Sequence, residues 1–520
     1  MNREQGIQRL RDENEAWDFL IIGGGATGLG TAVDAAARGY RTLLVESSDF
    51  AKGTSSRSTK LLHGGVRYLK QGNVGLVMDA ARERSLVCRN ASHLARTLGF
   101  VIPVYDWHGK AFYGIGLTLY DRLAGKLSLG RSRILSRRET LERLPTLKDH
   151  RLRGGVHYCD AQFDDARLAV NLAQTADEHG ALMLNYMRAV GLIMENKRVS
   201  GVRLRDKEND EEFEVRAKCV INATGVYCDR IREMEAPGSK PILVTSQGTH
   251  LVLPRKFQPG PEALMVPKTA DGRVLFALPW RGRVVVGTTD TASENTTMEP
   301  RATEPEIDFL LEHAGKYLTH APEPGDVLSV FSGLRPLVSK GSKGAKTASL
   351  SRDHTILISE AGLVTITGGK WTTYRKMAAD VLDRAESSAG FEHRPAITRD
   401  LRIHGWTEAE ANGSELAVYG SDAGEIAALG REKPDLNRPI HKELDCLRAE
   451  VVWAARREMA RTVDDVLSRR TRSLIFNAKA SMEAAPEVAR LLAEELGRDP
   501  SWEKSQVDAF LKMADGYRLS

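Results

Sequence analysis

Three glycines and one acid carry the clearest chemistry in this chain. Gly23, Gly25 and Gly28 stand in the spacing G-x-G-x-x-G, and Glu46 follows them. The first glycine makes a tight turn, the second lets backbone approach a pyrophosphate, and the third lets a helix pack closely on a strand. Around Ala26 and Thr27 the helix start offers unpaired N–H groups and partial positive charge to that phosphate. Glu46 can accept hydrogen bonds from both ribose hydroxyls and would repel a 2′-phosphate, which disfavours NADP. The elements that must hold these residues occur in the right order. Asp18–Ile22 is a short apolar run, as expected for a strand buried on both faces. Gly28–Arg38 continues as a small-residue helix, and Arg41–Val45 is a second apolar strand with Glu46 at its carboxyl end. That context separates a dinucleotide site from a glycine-rich turn without a ligand.

Composition narrows the class. At 520 residues the prior is two or three domains. Hydrophobic content of 42% and charged content of 28% are those of an ordinary globular protein. A net charge of +5 is small for this length, and 69 acids offset 74 basic residues. No aromatic–basic platform suggests RNA, so no nucleic-acid partner is expected. Cys88, Cys159, Cys219, Cys228 and Cys446 form no C-x-x-C pair, which suggests neither a redox dithiol nor a zinc knuckle and fits reduced, packing thiols, and no metal site is expected. The polar N-terminus lacks a signal-peptide core, and no apolar run is long enough for a membrane span.

Further along, SSDFAKGTSSRSTKLLHGGVRYLKQGN should wrap a cofactor, placing Thr54, Ser55, Thr59, Leu61, His63, Gly64 and Gly65 against it. Helices are expected at Met78–Arg96, Ile115–Leu123, Arg137–Leu144, Ala166–His179 and Glu304–Leu318. Strands are expected at Phe100–Val104, Leu182–Ala189, Val199–Leu204 and Val215–Ala223, and Gly155–Tyr158 with an acidic turn at Asp160–Asp165 leads into the helix at Ala166. From Pro241 to Val330 short strands and turns read as an antiparallel sheet. Thr355–Ile358 and Leu363–Thr367 form a strand pair ahead of a helix Thr372–Ala385. SSAGFEHRPAITRDL reads as a linker, and the remainder as helices. The fold class is therefore α/β: a Rossmann-type dinucleotide-binding domain, an interleaved antiparallel-sheet substrate domain, and an all-helical C-terminal domain. Cofactor binding falls mainly in 15–85, 155–235 and 335–395, the substrate domain mainly in 86–154 and 236–334, and the helical domain in 396–520.

A Rossmann unit, a β-excursion and a late strand–Gly–Gly–helix suggest a flavoprotein rather than a nicotinamide dehydrogenase, because an isoalloxazine reaches far from the first helix and needs distant cover. VINATGVY offers that cover at Ala223 and Gly225. TITGGKWTT offers it at Gly369, Lys370, Trp371 and Thr372, where a helix N-terminus would stabilise an anionic reduced flavin. No covalent flavin motif is seen, so noncovalent FAD is expected.

The blocks GTSSRSTKLLHGGVRYL, VVVGTTDT, FSGLRPLV, SRDH, TGGKWTTYRKMA and TVDDVLSRRTR, in order from about Asp18 to Arg472, resemble the FAD-dependent glycerol-3-phosphate dehydrogenase family, within the glycine- and D-amino-acid-oxidase-like group. The resemblance implies oxidation of sn-glycerol 3-phosphate to dihydroxyacetone phosphate, with electrons passed to a membrane quinone. It also implies a cytoplasmic protein held peripherally on the inner face of the membrane, and it is compatible with a homodimer. Arg67, Arg335, Arg352 and Lys370 match the family's substrate-binding cations, and Tyr68 a phosphate-contacting tyrosine. The absence of a transit peptide and of a D-x-D-x-D-G loop points to a bacterial-type enzyme.

Alcohol oxidation also needs a base. His250 in QGTHLVLP suits proton abstraction, or is a satisfied structural histidine. Arg335, next to the reacting carbon, would stabilise a developing alkoxide. His63 reads as a flavin contact more than a base. Glu450–Arg472 reads as one amphipathic helix whose arginines, among them Arg456, Arg457, Arg461, Arg469, Arg470 and Arg472, form a solvated face or a contact for anionic lipid. Competing readings are an oxygen-using glycerol-3-phosphate oxidase, a related amine or amino-acid oxidase, an RNA-modifying flavoprotein, and a non-catalytic flavin binder.

Overall fold

The computed structural model describes every residue except 14, 65–73, 106–124, 268, 270–272, 340–352, 409–414 and 520. The expected helix Ile115–Leu123 and the site residues Gly65, Arg67, Tyr68 and Arg352 lie outside the described residues.

Trp17–Ile22 is the centre of an eight-stranded sheet, with Thr42–Val45 and Glu212–Asn222 as its parallel neighbours. Leu182–Leu184 and Val364–Gly368 extend the parallel part, and His354–Ile358 closes one edge antiparallel. Phe19 and Ile21 enter one core with the helices Ala26–Ala37, Asp165–Glu178 and Tyr374–Ala389, while Leu20 and Ile22 enter the opposite one. Burial on both faces explains why this strand is uniformly apolar instead of alternating. The opposite core also takes Ile7 and Leu10 of a helix, Arg3–Asp12, that the polar N-terminal sequence did not announce.

The second sheet has ten strands and turns its faces to different partners. Leu243–Pro254 pairs antiparallel with Ser329–Val338 and with Arg283–Gly287, and Ala95–Val104 with Gly154–Phe163. Leu251 and Leu253 pack toward the helix Glu304–Tyr317. Val252, Leu278 and Val285 pack with the C-terminal helices, including Arg448–Arg457 and Ala478–Leu496.

Four expectations change. The helix predicted to Arg96 ends at Asn90, and Ala95–Val104 is a strand because its ten residues pair along Gly154–Phe163. That partner strand sits in the second sheet, although residues from 155 onward read as cofactor domain. Leu182–Ala189 is two strands, broken where Tyr186 takes a φ of 54°. Asp160–Asp165 is not a solvated turn: Asp160 is buried against Arg84, Asp164 caps the helix Asp165–Glu178, and Asp165 is buried between Lys60 and Arg472.

The largest correction concerns Glu450–Arg472. Helix Arg448–Arg457 stops, Met459 turns with a φ of 55°, Asp465–Arg470 forms a π-helical turn, and Arg472 has a φ of 67°. The arginines do not share a face. Arg456 and Arg457 are exposed beside Glu495 and Glu425, and Arg461 is nearly covered by Glu4 and Glu208. Arg469, Arg470 and Arg472 are buried in ion pairs. The helix is broken and its arginines divide between the surface and internal ion pairs, so the segment is not one amphipathic stripe.

Candidate active site

A cavity of about 880 Å³ opens where the carboxyl ends of the first sheet meet the second. It is lined by Gly23, Gly25, Ala26, Thr27, Glu46, Thr54, Ser55, Thr59, Leu61, His63, Ala223, Gly225, Gly369, Lys370, Trp371 and Thr372, all among the expected cofactor-binding residues. Gly28 and Gly64 are not among its lining residues. A Cβ on Gly28 would stand 1.9 Å from the Gly23 carbonyl oxygen, so this glycine lets the helix approach the strand-end turn.

The residues present fit FAD. Gly25 caps Ala26–Ala37 with no side-chain hydrogen bond, leaving that helix end open to an anion; the Ala26 N–H alone is taken, by Ser55 Oγ at 2.9 Å. Gly23 has a φ of 115° and lies so close to Ala223 that a side chain would strike its carbonyl. Glu46 Oε2 accepts from the Gly24 N–H at 2.7 Å and Oε1 from the Ser48 N–H at 2.8 Å. Those bonds fix the carboxylate at the cavity wall with lone pairs left for a ribose, while burial raises its pKa. At the far end, Gly368 and Gly369 have positive φ and turn the chain into Trp371–Thr373, and Trp371 Nε1 donates to the Ser55 carbonyl at 2.8 Å. The wrapping loop and the late Gly–Gly segment, both expected against the cofactor, thus touch each other.

His250 and Arg335 come from neighbouring strands of the second sheet and face the same cavity. Small residues make the room. A Cβ on Gly287 would meet the His250 ring at 2.2 Å, and one on Gly248 would meet the Arg335 guanidinium at 2.2 Å. His250 stacks on Phe331 with 4.7 Å between centroids, and its Nε2 shares a 2.9 Å hydrogen bond with Thr59 Oγ1. Burial, then the nearby charges of Lys60 and Arg335, hold its pKa well below the usual histidine value. It is neutral at pH 7. Arg335 Nη2 donates to Thr288 Oγ1 at 3.0 Å and to the Thr289 carbonyl at 3.1 Å, with Asp290 Oδ1 3.8 Å from Nη1. Lys60 lies behind this wall, bonded to Asp165 at 2.7 Å and 5.0 Å from the Phe331 ring centre, and burial lowers its pKa to about 8.

The cavity also takes residues that sequence reasoning did not assign. Thr288, Thr289 and Asp290 belong to VVVGTTDT, a block that was visible but given no role. Lys52 and Arg57 lie in the wrapping loop, where their charge did not distinguish them from solvated residues. Asp160 and Ala189 arrive on strands and Lys207 on the turn that follows Arg198–Asp206, and nothing in the sequence assigned them to the cavity.

This fold and cavity define an FAD-dependent oxidoreductase of the amino-acid-oxidase-like class. Residues 18–375 match the family described as FAD dependent oxidoreductase, and residues 363–504 match the C-terminal domain of alpha-glycerophosphate oxidase. The chain is 40% identical over 555 residues to the mitochondrial glycerol-3-phosphate dehydrogenase of Bos taurus, covering 99% of this chain and 76% of that one. It is 40% identical to the Arabidopsis thaliana mitochondrial glycerol-3-phosphate dehydrogenase SDP6, covering 97% and 86%. Among solved structures, glycerol-3-phosphate dehydrogenase from Bacillus halodurans, complexed with FAD, superposes with a TM-score of 0.81 at 29% identity, covering 99% and 97%. The chain belongs to the FAD-dependent glycerol-3-phosphate dehydrogenase family, and FAD is its cofactor.

Proposed function

We propose that this chain oxidises sn-glycerol 3-phosphate to dihydroxyacetone phosphate and passes the electrons to a membrane quinone. The observation that carries the reading is a neutral buried imidazole and a guanidinium, His250 and Arg335, on one wall of a cavity built for FAD. The names of the relatives support the substrate.

When bound, FAD supplies the acceptor for the hydride that leaves the substrate carbon. The protein must then take the hydroxyl proton. His250 Nδ1 is enclosed and has no hydrogen-bond partner among the described residues, so Nε2, at the cavity wall beside Thr59, is the nitrogen placed to receive it. A low pKa keeps that nitrogen free of a proton, and a bound dianion offsets the charges of Lys60 and Arg335 and strengthens the base. Arg335, pinned by Thr288 and Thr289, stabilises the negative charge that develops on oxygen. Lys370, with Arg67, Tyr68 and Arg352, is assigned to the phosphate.

Separate kinetic signatures test this division. Lys370→Met should raise KM for glycerol 3-phosphate and barely alter the slow reaction of glycerol, which has no phosphate to bind. Arg335→Lys should lower kcat with either substrate. Equal losses in both variants with both substrates would reject the assignment.

The proposal extends to peripheral binding at the inner face of the cytoplasmic membrane and to a homodimer. No helix among the described residues is long and apolar enough to cross a membrane. With Arg469, Arg470 and Arg472 withdrawn into the interior, an electrostatic attachment must use other surface cations. Sedimentation with anionic vesicles should show binding that weakens in high salt but survives Arg456→Gln with Arg457→Gln; salt-insensitive binding, or none, would remove the attachment.

A further inference from the structure

We propose that the C-terminal segment Glu458–Arg472 braces the cofactor-wrapping loop 47–60, so that Arg469, Arg470 and Arg472 are positioning residues for FAD although none of them lines the cavity. The inference rests on FAD as cofactor and is independent of the substrate and quinone readings.

Loop 47–60 supplies Lys52, Gly53, Thr54, Ser55, Arg57, Ser58 and Thr59 to the cavity, yet its regular structure is limited to the short turn Thr54–Ser56. Its shape must be held from outside, and the C-terminal segment does so at three points. Asp49 accepts from Arg469 Nε at 2.5 Å and from Arg470 Nη1 and Nη2 at 2.7 and 2.8 Å. The Ser56 carbonyl accepts from Arg472 Nη2 at 2.9 Å. Lys52 pairs with Asp464, which also accepts from Arg469 at 3.0 Å. Loop and segment then converge on Asp165: its Oδ1 takes Arg472 at 2.8 Å, and its Oδ2 takes Lys60 Nζ at 2.7 Å and the Ser58 N–H at 3.0 Å.

These groups are desolvated, so moving the loop off the segment would strand charges in the interior. Such a charge is costly, and the two pieces therefore move together or not at all. FAD selects the loop conformation that forms the cavity. Linkage then requires that whatever holds the loop in that conformation tightens FAD, and that FAD in turn tightens the segment.

The test uses the full-length chain stripped of FAD and reloaded. Arg470→Lys keeps the charge but removes the fork that grips Asp49; it should raise the FAD dissociation constant by roughly tenfold, within the usual range of coupling between two sites. Arg456→Lys, on the exposed start of the same region, should leave it unchanged. Reloading the wild type should slow amide hydrogen exchange in residues 460–472 more than in the buried helix Ala478–Leu496. If Arg470→Lys lowers the melting temperature of FAD-free and FAD-bound protein equally, with the dissociation constant unchanged, the segment is only structural and the proposal fails. Should Arg470→Lys not fold, the wild-type exchange measurement decides alone: equal slowing in both segments overturns the proposal.

Discussion

At the residue scale, catalysis turns on His250 and on the glycines that make room for it and its neighbours. His250→Asn should depress kcat by roughly 10²–10⁴-fold, the usual contribution of a general base. Because His250 titrates well below 6.5, the acid limb of kcat/KM should fall below that pH in the native enzyme and vanish in the variant. An unchanged kcat and pH profile would reject the base. Gly28→Ala should abolish FAD retention, measured as the flavin-to-protein absorbance ratio after gel filtration. Its Cβ would meet the Gly23 carbonyl, a backbone atom that cannot swing aside. Gly248→Ala meets only the tip of a flexible guanidinium, so FAD should stay bound while kcat falls. Residues of this kind were legible because backbone conformation and close approach restrict the residue type. His250 stood out by chemistry, but its Thr59 bond and the stack on Phe331 needed the strand register. Asp160 and Ala189 had no such mark and became visible only when the second sheet and the hairpin Met187–Glu195 with Arg198–Asp206 brought them to the cavity.

At the element scale, the chain just past the linker is fastened by His404. Its Nδ1 meets Glu178 at 2.5 Å and its Nε2 meets Asp422 at 2.8 Å, joining the helix Asp165–Glu178 to the start of the C-terminal helices. Burial opposes the charge, but bonds to Asp422 and Glu178 outweigh it and raise the pKa to about 9. A histidine whose pKa rises on folding stabilises the fold fully below its unfolded value near 6.5, and that contribution fades as pH climbs through about 9. Denaturant unfolding should therefore show stability falling between pH 7 and 9, and His404→Gln should flatten that fall; an identical slope in the variant would exclude the clasp. The linker itself was legible from its composition, and the parallel strands from their apolar runs. Glu450–Arg472 was misread because a helical stripe and scattered arginines are what periodicity detects, whereas the left-handed Met459 and Arg472 and the acids that receive the arginines lie in tertiary structure.

At the scale of the whole molecule, two layers of sheet are joined by charge as well as by apolar packing, and the balance sets the pH range of the fold. His250 and His93 are buried, and burial lowers both, His93 to about 4. The unfolded chain binds protons at these positions below about 6.5 while the folded chain does not, so stability falls as pH drops from there. Although burial opposes it, their arginine and lysine partners hold Asp49 and Asp165 below the ordinary carboxylate range, so these add a second loss below about pH 4. With His404 acting in the opposite direction, the melting temperature should peak near neutrality; a protein most stable at pH 5 would contradict these assignments.

The central claim is that the cavity oxidises a phosphate-bearing secondary alcohol through FAD. The most direct measurement is anaerobic titration of the FAD-loaded protein, following the flavin absorbance. The expected result is stoichiometric bleaching by sn-glycerol 3-phosphate, slow bleaching by glycerol and none by amino acids. Flavin that stays oxidised with glycerol 3-phosphate and bleaches with an amino acid would contradict it.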